Sequence, residues 1–324
     1  MKLGIVTEVF YTSHPDFEGM LDKVKESGLE AVEIGVGNYP GEIHCDVKGL
    51  LKSEEKIKAY KTAIKKRGLI ISALAVHGNP LHPDESIAKD HDQKTKNAIL
   101  LAQKLGVSTV TLFSGCPGSS DNDKFPNWVT CAWPKDYIEV LNWQWEKKVI
   151  PYWKKIGNLA NNHGIKLAFE MHPGFVVYNT ETLLRLRNEI GDVIGANFDP
   201  SHLFWQGIDP IVSLKKIAEV GALFHIHAKD IKIDEYNTAL NGVLDTKSLA
   251  DIKHRSWLFR IVGYGNNFDW WKNFVSQLIK ENYEYVLSIE YEDALMSGEE
   301  GVRETVKFLK EVIINEKPTD IYWA

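Results

Sequence analysis

Residues 165–202 read IKLAFEMHPGFVVYNTETLLRLRNEIGDVIGANFDPSH. Two short apolar runs in this stretch each close on a carboxylate: Glu170 after residues 165–169, and Asp199 after residues 193–198. Each run is bounded by Gly or Pro and followed by a segment with helical spacing. The pattern is strand, loop, helix, strand, the repeating unit of an α/β protein. Two later runs, residues 222–227 and 285–290, close on His227 and Glu290. Where parallel strands share one barrel, their C-terminal ends face the ligand, so polar residues there converge while the apolar residues before them pack. A strand-ending carboxylate by itself often only caps the next helix. Four metal-type side chains closing four such runs, Glu170, Asp199, His227 and Glu290, predict a divalent-metal site.

Working outward from that stretch, residues 3–7, 31–35, 69–76 and 107–113 are further strand-like runs. Helical spacing separates them over residues 15–27, 52–67 and 86–105, and Gly28, Gly68 and Gly106 stop those helices. Later helices are predicted over 137–162, 181–189, 210–220, 268–281 and 301–314. Eight strand–helix pairs with no Pro-, Gly- or Ser-rich linker make residues 1–314 one (β/α)8 TIM barrel, followed by a tail, 315–324. Long loops follow the fourth and seventh strands. The first carries Trp128, Trp133, Trp143, Trp145 and Trp153, from which we expect one or two rings to stack on a sugar and the others to pack. The second, residues 231–267, shows no clear repeat.

Other candidates follow from position. Glu33 lies within the second strand and either points inward or is a helix-facing or buried, paired carboxylate. His77 follows the third strand, where it binds substrate or metal or else bonds its own loop; His82 is a loop residue. Strand side chains alternate, so His225 and His227 face one way, with His227 nearer the mouth and His225 supporting it from below. His172 shares the orientation of Glu170. Lys229 and Asp230 are read as an ion pair at the strand end. His202, just past Asp199, orients a substrate hydroxyl or hydrogen-bonds a metal ligand.

Composition narrows the class. A formal charge of -6 and a pI near 6.0 argue against a nucleic-acid footprint and leave small polar metabolites as the expected ligands. The N-terminus lacks a signal-peptide pattern, and no apolar run approaches the length of a membrane span. Cys45, Cys116 and Cys131 have no metal-ligand spacing. A cytoplasmic enzyme with reduced thiols is therefore expected.

The motifs Phe169-Glu170-Met171-His172, Asp199-Pro200-Ser201-His202, His227-Ala228-Lys229-Asp230, Gly263-Tyr264-Gly265 with Asp269-Trp270, and Ile289-Glu290 resemble those of the xylose-isomerase-like TIM barrels, a family of sugar phosphate isomerases and epimerases. The resemblance implies one divalent ion on Glu170, Asp199, His227 and Glu290, with Glu170 and Glu290 also serving as catalytic acid and base. It implies that His202 and Arg260 contact substrate oxygens. The chain is longer than a typical ketose epimerase of that family, with both long loops at the mouth.

Taking a proton from beside a carbonyl leaves an enediolate, whose charge a Lewis acid stabilises. Three carboxylates and one imidazole favour Mn²⁺ first, then Mg²⁺, with Co²⁺, Fe²⁺ or Zn²⁺ also accommodated. The leading expectation is a metal-dependent isomerase or epimerase of a ketose, keto-sugar or cyclitol, its substrate held by His202, Arg260, His77 and His172. The alternatives are a metal-dependent lyase eliminating from a 3-keto-glycoside or an inosose, an endonuclease-like phosphodiesterase with Asp251 and His254 as extra ligands, and a non-catalytic sugar-binding barrel. A carbohydrate partner, no nucleic acid, no membrane, and a homo-oligomer or a partner subunit complete the expectation.

Overall fold

Most barrel strands start soon after a helix that a glycine has stopped, with Asn282 (φ 58°) taking that place before the last of them. Gly106 follows the long helix 85–105 with φ 75° and ψ 29°, a left-handed closing residue that costs glycine nothing; Gly164 (φ 68°) plays the same part before the fifth strand. The structure, a computed structural model, describes residues 1–316. The tail expected at 315–324 therefore lies almost wholly outside the described residues.

In chain order the strands are β1 (Lys2–Val6), β2 (Ala31–Gly35), β3 (Ile70–Ala75), β4 (Thr109–Leu112), β5 (Lys166–Glu170), β6 (Ile194–Phe198), β7 (Leu223–Ala228), β8 (Asp230–Ile233), β9 (Trp257–Arg260) and β10 (Val286–Ile289). All but β8 and β9 form a closed parallel barrel, in which β10 pairs with β1 through Lys2↔Val286 to Ile5↔Ile289. This is the expected (β/α)8 barrel. Its helices wrap the outside with one apolar face inward. In helix Gly298–Val312, for example, Val302, Thr305, Val306, Leu309 and Val312 are buried, the spacing of a single stripe.

Three local features depart from the sequence expectation. The predicted helix 52–67 runs Glu54–Lys66, started by Ser53, whose side chain accepts from the backbone N–H of Lys56, and a separate short helix not expected from sequence, Val47–Lys52, precedes it. Helix 137–162 begins at Lys135 and carries a π-helical turn, Gln144–Val149, just before Pro151. Proline has no N–H to give to the ladder upstream, and the looser turn swings Gln144 and Trp145 into the core. The third concerns residues 231–267, where the second long loop contains structure of its own. There β8 and β9 pair antiparallel, Asp230↔Arg260 to Ile233↔Trp257, and Trp257 stacks on Trp205 with ring centroids 4.8 Å apart.

Asp230 ties this ribbon to the barrel. Its carboxylate accepts from the backbone N–H groups of Ile231, Gly263, Gly265 and Asn266, from Asn266 Nδ2 and from the buried indole of Trp271. It is thus a hub for the Gly263-Tyr264-Gly265 turn, not the partner of Lys229. Asp230→Ala strands several buried donors at once. We expect a loss of roughly 3 kcal/mol in denaturant unfolding, with Glu170, Asp199, His227 and Glu290 still in place.

The tryptophans of the loop after β4 turn mostly to packing. Trp145 and Trp153 are fully buried, and Trp153 donates its indole hydrogen to the carbonyl of Ser114. Trp128 packs edge-on against Tyr178, Trp143 lies beneath Lys148, and Trp133 is 78% exposed.

Candidate metal and active site

The ends of β5, β6, β7 and β10 bring Glu170, Asp199, His227 and Glu290 together, each offering a ligand atom within 4.8 Å of the others. His227 Nδ1 lies 3.2 Å from Glu170 Oε2 and 3.1 Å from Glu290 Oε2. His202 Nε2 reaches both Glu170 Oε1 at 3.0 Å and Asp199 Oδ2 at 3.2 Å. His77 Nε2 is 3.1 Å from Glu170 Oε2, and the ring of His172 lies 4.1 Å from that of His202. The structure therefore gathers seven of the eight residues singled out from sequence. The eighth, Arg260, sits on the ribbon with its Nε donating to Asp293 at 2.9 Å, and Asp293 also accepts from the N–H groups of Ile261 and Leu295.

Four further residues belong to the site. Lys229 is buried, with Nζ 3.0 Å from Glu290, 3.7 Å from Asp199 and 2.6 Å from Glu292, over the face of Phe259. The signal was in the sequence: two residues beyond His227, it points the same way along the extended chain. Asn197 donates to Glu170 Oε2 at 3.1 Å. Glu33, buried and paired as one of its two readings had it, accepts from His227, Thr111 and Ser288. Glu8, just past β1, opens onto the mouth; the protein around it, and then Glu290, Glu33 and Glu292, push its pKa up to about 8. The rings against the site's histidines and lysine are Phe113, Phe175 and Phe259, not the loop tryptophans.

The carboxylates of the site are held charged by their neighbours. Burial opposes the ionisation of Glu170, but hydrogen bonds from His202 and His227 outweigh it and hold its pKa well below the ordinary range. Burial likewise opposes the charge on Glu290, and Lys229 and His227 bring it down to about 2. Burial pushes Asp199 up to about 6 against His202 and Lys229, with Glu170 and Glu290 adding to the rise. Burial disfavours charge on Lys229, yet Glu290, Glu292 and Asp199 hold its pKa well above the ordinary value. Burial, with His202 beside it, takes His172 down to about 3, so it is neutral. Asp199 Oδ2 is buried and accepts no hydrogen bond among the described residues. A buried carboxylate oxygen that accepts no hydrogen bond, with His202 Nε2 3.2 Å away, and that faces two more carboxylates and an imidazole nitrogen fits a divalent cation.

Among the described residues the other group with metal-ligand geometry is Glu33, His225 and His227. Asp251 and His254 join neither group; they pair with each other at 2.7 Å on the surface. The additional ligands of a multinuclear phosphodiesterase site are not assembled from them. No helix among the described residues is long and apolar enough to cross a membrane.

The family model described as the xylose isomerase-like TIM barrel matches residues 21–312. Protein YfiH of Bacillus subtilis, itself uncharacterized, is 41% identical over 316 residues, 97% of this chain and 99% of its own. The inosose dehydratase of Clostridium botulinum is 31% identical over 140 residues, 43% of this chain and 44% of its own. Among solved structures, IolI protein with a bound zinc atom aligns with a TM-score of 0.65 at 19% identity, covering 97% of this chain and 98% of its own. The 3-keto-D-glucoside 4-epimerase YcjR of E. coli aligns at 0.63 and 14% identity, covering 96% and 99%.

Proposed function

Because the chain belongs to the xylose isomerase-like TIM barrel family, we propose that it is a divalent-metal-dependent enzyme that moves a proton beside the carbonyl of a keto-sugar, ketose or cyclitol, as an isomerase or epimerase. One observation carries the reading. Two buried carboxylates and a partly exposed third, from three strands, surround a nitrogen of His227 at the mouth of the barrel, and the buried Oδ2 of Asp199 accepts no hydrogen bond among the described residues. Glu170, Asp199, His227 and Glu290 would hold the ion, Mn²⁺ before Mg²⁺ or Zn²⁺ on the hardness of three oxygen donors. When bound, it supplies Lewis-acid stabilisation of the enediolate's negative charge.

The proton is handled by the chain itself. Glu170 and Glu290, brought from β5 and β10, are the two carboxylates available as base and acid. Glu170 is kept ionised by His202, and Glu290, 22% exposed at its side chain, has Lys229 beside it. Proton removal by one carboxylate and return by the other on the opposite face inverts the carbon. His77, His172 and His202 orient substrate oxygens. Phe113 and Phe259 wall the mouth against water, and Phe259 is the ribbon's contribution to that wall. A cytoplasmic setting is consistent with three unpaired cysteines.

A second reading is a lyase, favoured by the local match to inosose dehydratase and by Glu8 near Glu290, whose raised pKa suits protonation of a leaving group. Mn²⁺-loaded protein incubated in D₂O with ketoses, 3-keto-glucosides and inososes, followed by NMR, tests both. Carbon-bound hydrogen exchange is expected, falling roughly 10²- to 10⁴-fold in Glu290→Gln. Inverted or isomerised product supports the first reading and eliminated product the second. No exchange across the panel with metal stoichiometrically bound refutes both.

A further inference from the structure

We propose that Glu33 is a positioning residue for the metal centre: by holding the hydrogen of His227 on Nε2, it presents Nδ1 as the lone pair that a divalent cation takes up between Glu170 and Glu290. The inference rests on the metal-dependent reading above and says how the imidazole is set.

Glu33 is completely buried inside the barrel on β2. A carboxylate can only accept, and His227 Nε2 stands 3.2 Å from its Oε1 and 3.1 Å from its Oε2, so the hydrogen on that side of the ring belongs to Nε2. The other nitrogen, Nδ1, faces Glu170 and Glu290 at 3.2 and 3.1 Å. An Nδ1–H there donates to the two carboxylates, and a divalent cation takes the place of that proton. Carboxylate, imidazole and metal in line is the arrangement by which an outer carboxylate fixes a histidine's tautomer and raises its basicity.

Glu33 is itself held in place. Thr111 Oγ1 donates to its Oε1 at 2.6 Å and Ser288 Oγ to its Oε2 at 2.7 Å, which ties it to β4 and β10. With His227 these donors occupy both oxygens, so Glu33 is satisfied without a metal, whereas Asp199 Oδ2 accepts no hydrogen bond among the described residues. This is why the ion is assigned to the four-residue group and not to Glu33, His225 and His227. The backbone also marks the residue. The pairing of β2 with β3 shifts register between Val32 and Glu33, and that of β6 with β7 between Ala196 and Asn197. Such irregularities re-aim a side chain, and both fall at polar residues that touch a member of the ligand set from below.

The test uses Mn²⁺ titration by calorimetry and the long-range ¹H–¹⁵N NMR spectrum of the Zn²⁺-loaded protein. Glu33→Gln is expected to bind Mn²⁺ roughly 10- to 100-fold more weakly than the native protein. Ser288→Ala, which leaves the carboxylate on His227, is expected to change affinity by less than about threefold. In the native protein His227 should appear with Nε2 protonated and Nδ1 carrying the metal. Native affinity in Glu33→Gln overturns the proposal while leaving the metal site standing. So does an Nε2-metallated His227 in the native protein, even where Glu33→Gln fails to fold. Native protein that binds neither ion overturns this proposal together with the functional reading.

Discussion

Glu170→Gln is expected to abolish carbon-bound hydrogen exchange at saturating Mn²⁺, by roughly 10³-fold or more. Glu170 stands at the centre of the site: His202, His77, His227 and Asn197 all address its two oxygens. The amide keeps the volume but cannot take a proton, and its NH₂ group meets donors where an acceptor stood. Three measurements separate the causes. Metal affinity by calorimetry reports the loss of a ligand, the exchange rate at saturating metal reports the loss of the base, and far-UV circular dichroism reports the fold. Weakened metal binding with an undiminished exchange rate at saturation would remove Glu170 from the role of base and leave it a ligand only.

Lys229→Met should unfold far more easily than the native protein when both are metal-free. The native ammonium is buried among Glu290, Glu292 and Asp199, and removing one partner of a buried ion group typically costs about 3–5 kcal/mol because the remaining charges stay behind. The pH dependence follows from its direction. The folded pKa of Lys229 lies above the unfolded one, so its contribution is complete below the ordinary lysine value and fades only as strongly alkaline pH passes the folded pKa. At neutral pH the full difference should appear. A saturating divalent ion stabilises whichever form binds it, by about 4 kcal/mol at a thousand times its Kd, and by neutralising the same carboxylates it should narrow the gap between variant and native protein. Thermal melts of both proteins, chelated and loaded, measure this. A metal-free Lys229→Met that melts with the native protein would mean that the carboxylates compensate by taking up protons instead.

The barrel and its four candidate ligands were legible in the sequence because they depend on local rules. Strand alternation and glycine-stopped helices are written in neighbouring residues, and parallel closure sends every strand end to one mouth. Glu170, Asp199, His227 and Glu290 met there for that reason. What the tertiary structure alone decided was pairing across distance. Glu33 lies 194 residues before the histidine it holds, and no spacing rule distinguishes an inward carboxylate that is paired from one that binds a ligand. The same is true of Asp230, whose partners lie around Gly263 and Trp271 and not at Lys229, and of Arg260, which Asp293 engages. The strands of the ribbon after β7 are four residues each, too short to declare a period. Of the tryptophans near the mouth in sequence, Trp145 enters the core on a π-helical turn before a proline and Trp153 on the helix that follows, while phenylalanines stand at the site. Local patterns determine which way a side chain points; only closure of the barrel determines what it meets.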